Sequence, residues 1–410
     1  MAIVRNYLKC SSCDSKIVVR VAVGLFGNQE HKFPCPECDV QISFSLVKSK
    51  RLKIPQASFK NLSNAKWVKT ENGAIKTLTF DPDRVAPADG TMRFSPWMDE
   101  FFKMPLQAHQ AYGYEEGLRR SWSEKEWPWI KNLIVHFNNR NIALFDKEAR
   151  IDTKSPVAGS WESRLSLLYT LLERAFDNFT LNSNVFVGRI RQRLALAKSI
   201  SAQLFDQLAN DYATSSRMKN LWDELISIRS LFLSLYPSVA PLLRMHIYWK
   251  SSEEKDLKKF AIADKRFEDL KRLYVDSFET LCRLMVIAMG VETIIHNRSL
   301  AIPTSKGTMS LWDFEAIPNG NKHTILHQYP IDDLFVPAID SKLRNGIGHH
   351  SAFYEARTDE VVYFSHGEPD LIETRMPYTE FVHKVLHLYS TLELAAHYFH
   401  SVHIRAIELE

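Results

Sequence analysis

Residues 161–179 read WESRLSLLYTLLERAFDNF, with apolar side chains at Leu165, Leu168, Tyr169, Leu172 and Phe176. Steps of three and four put these on one face of a helix and the charged residues on the other. The stripe recurs on both sides. Residues 123–140, SEKEWPWIKNLIVHFNNR, carry it at Ile130, Leu133, Ile134 and Phe137, with Ser123 as the expected N-cap. Residues 187–208, VGRIRQRLALAKSISAQLFDQL, and 220–237, NLWDELISIRSLFLSLYP, continue it, the second expected to stop at Pro237. Arg189, Arg191, Arg193 and Lys198 are spread around their helix instead of stacking at i, i+4, the pattern of a solvated surface.

Toward the carboxy terminus a helix is expected to open at Ser251, with Glu254 completing a capping box, and to run to about His296. Residues 331–353, IDDLFVPAIDSKLRNGIGHHSAF, resume a helical pattern. Residues 359–378 read as two short strands around a His-Gly turn, and 378–402 as a final helix. The fold class is therefore mainly α: helical bundle domains with a small β ribbon at the amino terminus.

That ribbon is marked by Cys10-Ser-Ser-Cys13 and Cys35-Pro-Glu-Cys38, separated by 21 residues. Two short knuckles of two thiolates each close a tetrahedron, so Cys10, Cys13, Cys35 and Cys38 are expected to hold a structural Zn²⁺ with no open position for catalysis. KIVVRVAV and VQISFSLV alternate well enough to be strands. Forty residues bury little core, so the metal supplies folding free energy that packing cannot. Cys282, alone on an apolar helix, reads as a core residue.

From Val47 to Lys76 there are eight Lys/Arg against one acid, Glu71. Lys48, Lys50, Arg51, Lys53 and Trp67 are the candidate nucleic-acid contacts, cations for phosphates and an aromatic for stacking. A solvated linker or small charged-edge sheet is the plainer reading of this segment. The expected domains are 1–46 (zinc ribbon), 47–92 (basic linker or small β segment), 93–250 (helical middle) and 251–410 (carboxy-terminal helical domain).

The chain has 410 residues, is 45% apolar and 24% charged, and carries a formal net charge of +4, too small to argue for nucleic-acid binding alone. The most apolar helical stretch, LCRLMVIAMGVETII, contains Arg283 and Glu292 and falls short of the ~20 apolar residues that span a bilayer. No membrane association and a cytoplasmic location are expected.

Only 14 glycines occur in the chain, and Gly346 and Gly348 are two of them, in Arg344-Asn345-Gly346-Ile347-Gly348-His349. A long helix, this motif and a final helix resemble the HEPN superfamily over roughly residues 255–410. The family signature is an arginine, usually followed by a polar residue, and a histidine after four to six positions. The resemblance implies a helical bundle that dimerises to bring two motifs together, and metal-independent cleavage of RNA. It assigns Arg344 to the scissile phosphate and His349 to acid/base work, with Asn345 helping to set the local geometry; His350, whose role the family pattern does not define, is a supporting candidate. No catalytic metal is expected, because RNA carries its own nucleophile, the 2′-hydroxyl. By the same resemblance the protein is a homodimeric toxin or antiviral-defence effector. A non-catalytic nucleic-acid- or protein-binding protein, with a partner reaching the ribbon or helical middle, is the alternative. The two glycines are expected to trade roughly 1 kcal/mol each of helix stability for a backbone distortion or for close approach by RNA or a second subunit; the alternative is that they mark a turn where one helix ends.

Eleven of the fifteen histidines lie from His296 onward. His383 and His387 are spaced i, i+4, a spacing that could bind a metal, and His397, His400 and His403 follow on the same helix. With no carboxylate visibly placed beside them, they are expected on a solvated or interfacial face.

Overall fold

The structure, a computed structural model, describes residues 3–22, 29–48, 57–69, 74–80, 86–87, 122–153, 159–181, 183–214, 216–249, 257, 260–262, 265–305, 307–348, 351–364 and 372–410. Among these the protein is mainly α-helical, with a small β region at the amino terminus.

The β region contains seven strands: β1 (Ile3–Cys10), β2 (Lys16–Ala22), β3 (Gln29–Pro34), β4 (Gln41–Lys48), β5 (Ala57–Ser63), β6 (Ala65–Val68) and β7 (Ala74–Phe80). They form two sheets, β6-β1-β2-β7 and β3-β4-β5. All pairs are antiparallel except β2 with β7. The strands of the basic segment thus complete both ribbon sheets. Alternation sends Leu8, Cys10, Ile17, Val19 and Val21 to one face, where they bury against Phe33, Ile42, Phe44 and Leu46.

The helices are Trp127–Asn138, Ile142–Thr153, Trp161–Phe176, Ser183–Ile200, Ala202–Ala213, Arg217–Trp249, Phe267–Asn297 and Tyr378–Leu409, with shorter ones between Leu311 and Gly348. The stripe of residues 161–179 is buried as its spacing requires, and Ser160 caps the helix by accepting from the Ser163 backbone N–H at 3.1 Å. Trp127 meets Phe176 edge-on at 5.3 Å and Trp222 meets Tyr169 at 5.4 Å. Ser123 is not at the N-cap position: it lies in a π-helical turn, Trp122–Glu126, and the helix that follows has Glu126 as its N-cap. Nor does Pro237 end its helix, which continues to Trp249. The long carboxy-terminal-half helix begins at Phe267; Ser251 and Glu254 lie outside the described residues. Strands Ala352–Glu355, Glu360–Phe364 and Glu373–Pro377 form an antiparallel sheet, one strand more than expected.

Contacts group the chain into two units that interleave along the sequence: residues 1–104, 231–275 and 342–386, and residues 105–230, 276–341 and 387–410. Three of the boundaries fall inside long helices, Arg217–Trp249, Phe267–Asn297 and Tyr378–Leu409, so each of these helices contributes to both groups. No helix among the described residues is long and apolar enough to cross a membrane.

Candidate functional site

The four cysteines converge. Zn–S bonds of ~2.3 Å separate tetrahedral thiolates by about 3.8 Å, and here Cys10 and Cys38 sulfurs lie 3.7 Å apart, Cys13 and Cys35 3.6 Å. The two knuckles repeat one geometry. Asp14 and Asp39, each following a second cysteine, take φ of 60° and 59°. Cys10 N–H donates to the Ser15 carbonyl at 2.9 Å, and Cys35 N–H to the Val40 carbonyl at 2.8 Å. Left-handed backbone at Asp is the tolerated exception that tight turns require. Cys10 and Cys35 are buried, Cys13 and Cys38 exposed. The Ser15 hydroxyl, 3.0 Å from Cys13 Sγ, and the Ser15 N–H pull that thiol down to about 6. The donor set and its spacing fit a metal ion.

Of the five candidate nucleic-acid contacts, only Trp67 has a described side chain. Trp67 sits opposite Leu8 on the core face, where it packs against Phe59 and Phe44 with ring centroids 4.9 and 5.9 Å away. It is partly buried against the core, because its register with β1 puts it on that side. Lys50, Arg51 and Lys53 lie outside the described residues, and of Lys48 only the backbone, ending β4, is described. The opposite face of the β6-β1-β2 strands collects cations. Arg5 stands opposite Arg20, and Lys9 is flanked by Lys16 on one side and Lys66 on the other. Like charges directly opposite destabilise a sheet by up to about 1 kcal/mol per pair. Burial, and after it Arg5, lowers the Arg20 pKa. Tyr7 lies between the two cationic rows, with the Arg5 guanidinium 5.2 Å from its ring centre. Asp14 binds Lys9 at 2.7 Å.

In the Arg-x₄-His motif the helix is Ser341–Gly348. Leu343 and Ile347 bury one face, Arg344 is half-buried and Asn345 exposed. A Cβ on Gly348 would lie 3.0 Å from Arg344 Nη1, so the guanidinium folds along the helix over the residue that precedes His349. His349 and His350 lie outside the described residues. Gly346 has a different reason to be glycine: a Cβ there would meet Tyr363 Cδ2 at 2.8 Å and the Phe364 carbonyl at 3.1 Å. The close approach it permits is by strand Glu360–Phe364 of the same chain. Ser351 secures that packing: its N–H and hydroxyl both donate to the Gly346 carbonyl, at 3.0 and 2.8 Å. Arg357, in the turn after strand Ala352–Glu355, donates to the Glu37 carbonyl inside the second cysteine knuckle at 2.9 Å. This bond ties the ribbon to the sheet that follows the motif.

The histidine-rich helix departs most from expectation. His397 and His400 are buried, not solvated, because helix Trp161–Phe176 packs its Glu173 against them. Glu173 Oε1 accepts from His400 Nδ1 at 3.0 Å and lies 3.2 Å from His397 Nδ1, while Asp177 Oδ1 lies 3.1 Å from His397 Nε2. Burial opposes charge on His397, but Asp177 and Glu173 raise its pKa to about 9. Burial lowers His400 to about 3 against the pull of Glu173. Arg229 and Glu393, with side chains 1% and 2% exposed, pair beside them at 2.8 Å. Tyr169 stacks on His400 at 4.0 Å and hydrogen-bonds His403 Nδ1 at 2.5 Å. The i, i+3 spacing of His397 and His400 was visible in the sequence, but the carboxylates that face them were not.

No protein-family model, no curated protein and no solved structure matches the chain.

Proposed function

We propose that the protein is a homodimeric, metal-independent endoribonuclease of the HEPN type, with a structural zinc ion in its cysteine knuckles. The observation that carries this reading is the Arg344 guanidinium lying over Gly348, next in sequence to His349. A guanidinium and an imidazole are the pair of groups that phosphodiester transfer uses. In the proposed step His349 takes the proton of the RNA 2′-hydroxyl as its oxygen attacks phosphorus. Arg344 stabilises the charge gathering on the phosphoryl oxygens. The P–O5′ bond breaks and the 5′-oxygen takes a proton, leaving a 2′,3′-cyclic phosphate and a 5′-hydroxyl. The ribbon's cationic rows supply sequence-independent phosphate binding, and the bond from Arg357 to Glu37 links them mechanically to the motif. A toxin or antiviral effector acting in the cytoplasm is the setting that the resemblance to HEPN proteins suggests.

Purified wild type, Arg344→Ala and His349→Ala are incubated with total RNA in EDTA, followed by end-group analysis. The expected outcome is cyclic-phosphate ends from wild type alone, with helical circular dichroism unchanged in both variants. Full activity in both variants would remove this site. The second reading, RNA binding without cleavage, is favoured by the cationic face. It is the result if no product forms but binding weakens steeply with salt, and if Lys9→Ala with Lys16→Ala flattens that dependence.

A further inference from the structure

We propose that Glu173, His397 and His400 form a second metal site, for a divalent first-row transition ion such as zinc, inside the helical unit and independent of the cysteine knuckles and of the RNA reading. Three side chains converge: Glu173, His397 and His400 each offer a ligand atom within 4.8 Å of the other two, and Glu173 Oε1 faces Nδ1 of both histidines. Zn–N and Zn–O bonds of about 2.0–2.1 Å space tetrahedral ligands by about 3.3 Å, and the two separations from Glu173 Oε1 are 3.0 and 3.2 Å. Imidazole nitrogen with one carboxylate suits zinc, nickel and copper better than calcium or magnesium.

The surroundings are those of a metal ligand set. Asp177 holds His397 through its other nitrogen, at 3.1 Å, the arrangement that fixes the tautomer and orientation of metal-bound histidine. Tyr169 stacks on the His400 ring and limits its rotation. The ligands project inward from two helices, His397 and His400 from one and Glu173 from the other, as bundle-core metal sites do. The charges also balance. Arg229 and Glu393 neutralise each other, so Glu173 and Asp177 present two negative charges to one dication. Arg191 meets the outer oxygen of Glu173 at 3.0 Å, but its side chain is 62% exposed and solvent screens it.

A proton can occupy the same place. In that state His397 carries hydrogens on both nitrogens, to Glu173 and Asp177. His400 then donates from Nδ1 to Glu173 and accepts at Nε2 from Arg229 Nη2, 3.5 Å away. Metal binding moves the His400 hydrogen to Nε2 and removes the Nδ1 hydrogen of His397. It sacrifices the weak contact from Arg229, whose strong bond to Glu393 is untouched.

The two states are separated by metal counting on the full chain. Wild type and a Cys13→Ser/Cys38→Ser variant are stripped, equilibrated with Zn²⁺ or Co²⁺ alone, and analysed by elemental mass spectrometry and absorption. Two equivalents are expected in wild type and one in the cysteine variant, the latter with cobalt d–d bands but no thiolate charge transfer. Adding Glu173→Gln, which keeps the side-chain size, abolishes that equivalent. Asp177→Asn weakens it by about 10- to 100-fold. Helical circular dichroism confirms that each variant is folded, and His400→Gln replaces Glu173→Gln if that variant is not. A single equivalent in wild type, or a second one that survives both Glu173→Gln and His400→Gln, overturns the site.

Discussion

Among the described residues, two groups of side chains reach metal-binding distance, and they are assembled in opposite ways. The cysteine knuckles are local: each closes within six residues through one backbone hydrogen bond and one left-handed aspartate. The imidazole cluster joins residues 227 apart, such as Glu173 and His400, and rests on helices that already bury a large apolar core. A small sheet pair without its ion lacks what holds it together. In the helical bundle the polar cluster is embedded in a structure that packing sustains. Losing the ion should therefore unfold the first region and only loosen the second.

The largest effect expected from this contrast is on the ribbon. Chelation, or Cys10→Ser with Cys35→Ser, removes a binding free energy of about 10–16 kcal/mol in comparable zinc modules. Hydrogen-exchange protection at Val19 and Ile42 should vanish while the helical circular dichroism persists. Protection that survives would show a core sufficient without metal.

In the bundle, the corresponding break is electrostatic. Arg229→Met leaves Glu393 buried and unpaired and should cost about 3–5 kcal/mol in urea unfolding. The double variant Arg229→Met/Glu393→Leu should recover most of it. Failure to recover would mean that the pair also organises its neighbours.

Acid sharpens the comparison within the ribbon. His31 is buried against Phe44, ring centroids 5.0 Å apart, and burial lowers its pKa to about 4. Its folded pKa lies below the unfolded ~6.5, so the unfolded chain binds the proton first. Stability is then highest above about 6.5 and falls as pH drops toward 4, below which this contribution stops changing. The full shift is worth about 3 kcal/mol. His31→Phe should flatten the slope relative to wild type, with acid release of the metal common to both proteins. Parallel pH profiles would rule out His31 as the source.

The smallest effects distinguish the two motif glycines. Gly346→Ala forces Tyr363 and the Phe364 carbonyl apart and should destabilise by about 1–3 kcal/mol. Gly348→Ala meets only the movable end of Arg344, so stability should change by under ~1 kcal/mol. Cleavage should fall instead, as the guanidinium is displaced. Equal destabilisation by both would deny Gly348 any role specific to Arg344.

Much of the architecture was legible along the chain. The stripe at Leu165, Leu168, Leu172 and Phe176 marks a buried helix face, and the knuckles follow from cysteine spacing, because both patterns repeat within one or two turns of chain. Cases that depend on a distant partner were read differently. The sequence offers Trp67 for base stacking, and its pairing with β1 places it opposite Leu8, partly buried against Phe44 and Phe59. The cationic face required the register that sets Lys9 between Lys16 and Lys66. Gly346 suggested access for a ligand, and it accommodates Tyr363 instead.

The sequence by itself determined where helices and strands form and that four thiols can gather at one point, since backbone periodicity and short-loop geometry are set by neighbours in the chain. Only the tertiary structure decided that Glu173 and Asp177 face His397 and His400. It also decided that the guanidinium of Arg229 is neutralised by Glu393. Such meetings depend on how helices remote in sequence pack, and helix packing is set by the summed fit of many apolar side chains, with no signature in any one segment.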